Sequence, residues 1–252
     1  MQGIHDRSVL LLGSDNMAVL SKLKVILFGV GGVGSWCAES LVRTGIVHLT
    51  LVDSDCVSVS NVNRQLMATC STVGRVKVEA MKERLLDINP DADINAIRAA
   101  YDAESAASFN LCDYDVIIDC IDSLKNKIDL IIEASHVPGA RVYSSMGAAL
   151  KVDPCRIKVA EYWSVKGCPL AAAMRKRMHQ RKLSLGSKVM CVYSDEVLLN
   201  KGAADLLEVN CASAWDEKKA RVNGSLQHIT GIFGFTLAGL VIKDAVSVEA
   251  AY

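Results

Sequence analysis

Proline is scarce in this chain: four of its 252 residues are proline and 17 are glycine, a composition that excludes a collagen-like, proline-rich or low-complexity polypeptide. Neither sign of charge is in excess. Lys plus Arg number 28 and Asp plus Glu number 28, so no global field attracts nucleic acid, and any such binding needs a local basic patch. Nine cysteines occur, but no two form a C-x-x-C pair, which argues against a zinc site built from paired ligands. The first residues lack a basic stretch followed by an apolar run. Export is therefore not expected: the thiols read as reduced and mostly core-packed, Asn223-Gly224-Ser225 has no meaning as a glycosylation site, and a cytoplasmic location follows. Long apolar runs are also missing. Ile232 to Ile242 covers 11 residues, well short of the roughly 20 that a bilayer requires. It reads as a buried helix at a subunit contact, with no integral membrane segment expected and peripheral membrane attachment left open.

Apolar residues make up 51% of the chain, ample for the core of one large α/β domain. Val25 to Phe28 is a short apolar run that reads as a buried strand. The turn Gly29-Val30-Gly31-Gly32-Val33-Gly34 follows, then a helix over Ser35 to Thr44 closed by Gly45. Glycines between a parallel strand and a helix let a phosphate approach the backbone, where the helix N-terminus offers free N–H groups. Leu49 to Val52 is a second strand, and Asp53 at its tip suits hydrogen bonds from ribose hydroxyls; the other reading is a packing-only glycine turn with a solvated Asp. Before the first strand, Met17 to Leu23 looks helical, and Arg7 reads as a solvated cation.

A polar stretch from Asp53 to Gln65 follows the carboxyl end of that second strand, where ligands bind in open α/β sheets. A helix is expected over Arg75 to Ile88, ended by Pro90. Arg64 and Lys77 can both reach a polyphosphate on the glycine turn, Arg as a planar fork and Lys as a point charge, although either one alone reads first as a solvated surface cation. Ile94 to Arg98 reads as a third strand, Ala103 to Asn110 as a short helix, Val116 to Asp122 as a fourth strand and Arg141 to Met146 as a fifth. Asp122 has two readings: a carboxylate ligand for Mg²⁺ beside phosphates, or the cap of a helix starting near Ser123.

After residue 150 the character changes. Val152 to Ala160 and Lys188 to Val192 read as strands around a helix over Pro169 to Leu183. That helix carries Arg175, Lys176, Arg177, Arg181 and Lys182, and no acid occurs between Tyr162 and Ser194. A polynucleotide backbone would suit such an excess, as would a solvated helix face. No ladder of aromatics accompanies it, so a single-strand stacking platform is not indicated. Cys211, in N-C-A-S, is a candidate nucleophile or a packing residue.

The motifs G-V-G-G-V-G-S, L-V-D-S-D, S-N-V-N-R-Q, V-G-R-V-K-V-E and D-C-I-D-S, in this order and spacing, resemble the ubiquitin-activating-enzyme-like adenylating enzymes, the family of the ThiF and MoeB proteins. The resemblance implies a Rossmann-like α/β fold with a mostly parallel sheet, helices on both faces and a smaller C-terminal α+β substrate-binding region. It implies an ATP-binding adenylation region over 1–150 and a region over 151–252 that binds the substrate and dimerises, the two forming one integrated domain. It further implies that Gly29, Gly31, Gly32, Gly34 and Ser123 line an ATP site. There Asp53 holds the ribose, Asn61 supports the phosphate site, Arg64 and Lys77 hold phosphates and Asp122 organises Mg²⁺. Arg7 matches a leader arginine lent to the partner subunit's ATP, which implies a homodimer.

C-P-L-A-A-A-M-R-K-R, K-V-M-C-V-Y-S-D-E, N-G-S-L and A-G-L-V-I-K-D are similar to the tRNA threonylcarbamoyladenosine dehydratase branch, in which Cys211 aligns with a cysteine of some members. That branch implies ATP-dependent cyclisation of a modified adenosine beside the anticodon, with the basic stretch holding tRNA. A sulfur-transfer accessory protein is a further partner the resemblance admits. Two other readings stay open: adenylation of the C-terminus of a ubiquitin-like sulfur carrier, and a non-catalytic nucleotide-binding scaffold.

Overall fold

The computed structural model describes residues 3–202 and 223–246. Seven strands form one sheet in the order β3-β2-β1-β4-β5-β7-β6. They are β1 (Lys24–Phe28), β2 (His48–Val52), β3 (Asp93–Ile97), β4 (Val116–Asp119), β5 (Arg141–Ser145), β6 (Ile157–Glu161) and β7 (Val189–Ser194). All neighbours pair in parallel except the edge strand β6, which runs antiparallel to β7. The helices are α1 (Asp6–Leu20), α2 (Gly34–Thr44), α3 (Lys77–Ile88), α4 (Leu124–Ser135), α5 (Pro169–Gln180) and α6 (Gln227–Ala245).

The central strands are apolar throughout because both faces are covered. Side chains alternate across a strand, so β1 feeds two cores. Val25 and Leu27 join α2, α3 and α6 on one face. Ile26 and Phe28 join α4 and α5 on the other, where Phe28 meets Tyr101 and Phe109 edge-on at 5.3 and 5.1 Å. The C-terminal helix α6 returns to the first half of the chain. A Cβ on Gly234 would lie 2.6 Å from the Val33 carbonyl oxygen and 2.8 Å from the Cys37 nitrogen, so α6 packs directly on the backbone of α2.

Several element bounds differ from the sequence reading. Helix α1 starts at Asp6 rather than Met17, with Gly13 in a non-helical conformation inside it. Helix α3 starts at Lys77 rather than Arg75, because the Arg75 carbonyl accepts the Val57 N–H and Cys56 bridges Val76. Strand β6 starts at Ile157 rather than Val152, because the N–H groups of Val152 and Asp153 are taken by the Glu196 carboxylate and Pro154 opens a 3-10 turn. The expected helix over Ala103 to Asn110 is a 3-10 turn over Ala106–Phe109. Helix α5 ends at Gln180, and Lys182 is left-handed at φ +53°.

Candidate active site

The strand order reverses between β1 and β4, which opens a crevice at their carboxyl ends. The glycine turn leaves β1 there, and residues 120–123 leave β4 beside it. The two loops touch. Gly29 has φ +90°, and a Cβ on it would sit 2.6 Å from the Cys120 carbonyl oxygen; one on Gly34 would sit 1.9 Å from the Gly29 carbonyl oxygen. No side chain fits at either position, which explains those two glycines by close packing. Ser35 at the start of α2 donates its hydroxyl to the Gly31 carbonyl at 2.7 Å. The N–H groups of Gly31 and Gly32 donate to no described residue, so they are open to an anion at the helix N-terminus.

Asp53, past the end of β2, reaches back to this turn. Its Oδ2 accepts the Val30 N–H at 2.8 Å and its Oδ1 the Asp55 N–H at 2.9 Å. Burial raises the Asp53 pKa, opposed by the Lys77 charge and the backbone bonds. Lys77 opens α3 and is buried. Its Nζ lies 2.7 Å from Asp55 Oδ2 and 3.9 Å from Asp53 Oδ1. Asp55 is the partner that the sequence reading missed. A second acid two residues after the first was its only signal.

Arg64 projects from a short 3-10 turn, Val59–Asn61, and its sequel. Asn61 is buried and closes that turn, its Oδ1 accepting the Ser58 N–H at 3.0 Å while its carbonyl accepts the N–H groups of Arg64 and Gln65. The Arg64 Nη1 donates to the Ser60 carbonyl at 2.8 Å and to Asn63 Oδ1 at 2.9 Å. Burial lowers the Arg64 pKa, and the facing Asp122 carboxylate opposes it. Arg64 also lies under the glycine turn: a Cβ on Gly32 would be 3.3 Å from its Cγ.

Asp122 is exposed at the carboxyl end of β4. It does not cap α4: the cap position is Ser123, and no side chain makes a capping bond there. An exposed carboxylate of this kind fits Mg²⁺, which keeps several waters and takes its other ligands from phosphate oxygens. Among the described residues no group of three or more His, Cys, Asp or Glu is arranged to hold a metal by itself.

The crevice thus brings together the glycine turn, Asp53, Asn61, Arg64, Lys77, Asp122 and Ser123. Arg7 is elsewhere, exposed on the first turn of α1 and lining a surface hollow with Ile4, Asp6 and Leu10. Cys211 lies outside the described residues. The cations of α5 trail away from the crevice. Leu170 meets Gly147 beyond the carboxyl end of β5, whereas Gly186 meets Ser135 and His136 at the opposite edge of the sheet. At about 1.5 Å per residue the 12-residue helix is roughly 18 Å long, so its later cations lie well away from its first turn. Arg175 donates to the Tyr162 carbonyl and Arg181 pairs with Asp129 at 2.8 Å, while Lys176 and Arg177 are exposed and unpaired among the described residues.

Residues 5–248 match the ThiF family. The chain belongs to the ThiF family. The tRNA threonylcarbamoyladenosine dehydratase of Bacillus subtilis (strain 168) is 35% identical to this ThiF-family chain over 240 residues, 94% of this chain and 92% of that protein. The protein of the same name from Escherichia coli (strain K12) is 32% identical over 252 residues, 95% of this chain and 92% of that protein. The crystal structure of E. coli tRNA N6-threonylcarbamoyladenosine dehydratase in complex with ATP matches with a TM-score of 0.81 at 30% identity, covering 96% of this chain and 93% of that one. Among the described residues, no helix of this ThiF-family chain is long and apolar enough to cross a membrane.

Proposed function

We propose that this ThiF-family chain is an ATP-dependent enzyme that dehydrates threonylcarbamoyladenosine beside the anticodon of tRNA. The observation that carries the reading is the gathering of Asp53, Arg64, Lys77 and Asp122 around the glycine turn, in a chain whose relatives match it nearly end to end. ATP lies with its phosphates on Gly29 to Gly34, supported by Asn61, and its ribose at Asp53, with Ser123 lining the same site. Arg64 and Lys77 neutralise the phosphates as charge shifts onto pyrophosphate. Mg²⁺ at Asp122 supplies further charge neutralisation when bound.

A carboxylate is a poor electrophile because its oxygen leaves badly. The substrate carboxylate attacks the α-phosphorus, pyrophosphate departs, and a mixed anhydride with AMP forms. A nucleophile of the same modification then attacks the acyl carbon and expels AMP, for a net loss of one water. Tethering gives that group a high effective concentration, so Cys211 is not required as an enzyme nucleophile. Residues 1–150 form the adenylation region, and residues 151–252 the part that meets tRNA and a second subunit, within one domain. The cations Arg175, Lys176, Arg177, Arg181 and Lys182 contact the tRNA backbone. Arg7 serves the partner's ATP in a cytoplasmic homodimer.

The test is incubation with ATP, Mg²⁺ and tRNA carrying the threonylcarbamoyl group. Nucleoside mass spectrometry should show loss of one water, with AMP and pyrophosphate released. Arg64→Ala and Asp122→Ala should each slow AMP formation by about 10²–10³-fold. Untouched tRNA, with a Gly-Gly-ended sulfur carrier driving pyrophosphate exchange, would replace this reading by carrier adenylation.

A further inference from the structure

The loop that carries Asp122 is held from beneath by two side chains with no solvent exposure. Lys127, on the first turn of α4, places its Nζ 2.7 Å from Asp119 Oδ2 and donates to the Ile121 carbonyl oxygen at 3.0 Å. Asp119, the last residue of β4, accepts the Ile121 N–H on Oδ1 at 3.0 Å and the Ser144 hydroxyl on Oδ2 at 2.6 Å. Ile121 is therefore gripped at both backbone polar groups, one residue before Asp122. On its other side the loop presses the Cys120 carbonyl against Gly29. One buried pair thus sets the β4 loop against the glycine turn.

Stability is a weak reason for such a pair. Removing both charges from water costs several kcal/mol per ion, and well-packed apolar residues of similar volume often do as well or better. What apolar residues cannot do is bind the N–H and C=O of Ile121, which are left without a helical or sheet partner at the end of β4. The pair's distinctive contribution is the shape of the loop.

We propose that Lys127 is a positioning residue for adenylation. Through the Ile121 carbonyl it sets the Asp122 carboxylate against Arg64 and against the phosphates on the glycine turn. The inference rests on the adenylation reading of the crevice. It extends that reading to a lysine that touches neither nucleotide nor substrate.

Lys127→Met alone leaves Asp119 charged and unpaired in the core. The deciding variant is therefore the double Asp119→Asn/Lys127→Met, which removes both charges at similar volume. Three measurements on the full chain are needed: thermal unfolding, ATP titration by calorimetry with and without Mg²⁺, and AMP formation on modified tRNA. The double variant is expected to unfold close to the wild-type temperature and to bind metal-free ATP within a few-fold of wild type. It should lose the gain in ATP affinity that Mg²⁺ confers. Its kcat should fall about 10- to 100-fold, the range seen when an outer group that orients a metal ligand is removed, with KM little changed. A double variant with wild-type Mg²⁺ response and turnover refutes the positioning role. So does one whose only deficit is a lower unfolding temperature. Wild-type protein that binds no ATP would instead refute the adenylation reading, and this proposal with it.

Discussion

The Trp36 indole Nε1–H donates to the Arg64 carbonyl oxygen across 2.9 Å. Helix α2 therefore does two things at the crevice: its N-terminus faces the open N–H groups of Gly31 and Gly32, and its first turn tethers the main chain of the arginine beside it. Trp36→Phe keeps the ring packing against Phe235 and deletes only the donor. A loss of about 1 kcal/mol in urea unfolding is expected, with a several-fold higher KM for ATP. An unchanged KM would show that the tether does not govern where Arg64 sits.

Two glycines of α6 should respond in opposite directions. Gly234→Ala drives a methyl group into the Val33 carbonyl and Cys37 nitrogen, so a destabilisation of about 1–3 kcal/mol is expected. Gly239 has nothing within 4 Å of the added Cβ, and Ala there should stabilise by up to about 1 kcal/mol. Urea midpoints of the two variants decide the matter.

Glu39 supplies a pH test. It bonds Arg43 on its own helix at 2.8 Å and Arg84 of α3 at 2.6 Å. Burial pushes the carboxyl up, but the bonds from Arg84 and Arg43 outweigh burial and hold it below the usual glutamate value. A carboxyl depressed on folding contributes stability above its unfolded pKa and loses it as pH falls through the folded pKa. Glu39→Gln should therefore cost about 1 kcal/mol near neutral pH, a figure kept small because both arginines face solvent. The gap to wild type should narrow on acidification through the carboxylate range. A gap independent of pH would mean that packing, not charge, is what the substitution removes.

Lys176→Ala and Arg177→Ala remove cations that hold no described partner. Each should weaken tRNA binding and lower the slope of log Kd against log salt by about 1 for every phosphate it had neutralised. ATP binding should be untouched, since both residues lie along α5 and away from the crevice. If neither the affinity nor the slope moves, tRNA approaches by another face.

The parts of the site legible in sequence were those encoded by short spacings. The strand–glycine–helix pattern and the acid at the tip of β2 single out Gly29 to Gly34 and Asp53 as candidates, because backbone geometry there permits few residue types. Arg64, Lys77 and Asp122 became interpretable through the order of the linked motifs. Hidden were the pairings that only the folded sheet creates. Lys127 carries no local signal that sets it apart, and only the fold, by placing Asp119 of β4 beneath α4, shows its role as a buried partner. Asp55 reads as loop polarity until α3 delivers Lys77. Residues 152–156 look like strand, and only Glu196, arriving from beyond β7, shows that their N–H groups belong to a turn.

Helix α6 lies against α2 although nearly two hundred residues of chain separate them. Contacts so distant in sequence form late, after the entropy of closing a long loop has been met. During synthesis the glycine turn and β1 to β4 emerge long before the helix that covers Cys37 and Leu41. A nascent chain of this protein must therefore carry an uncovered apolar helix face for most of its time on the ribosome. Chain left without α6 exposes that apolar face, an aggregation hazard for any truncation short of residue 245.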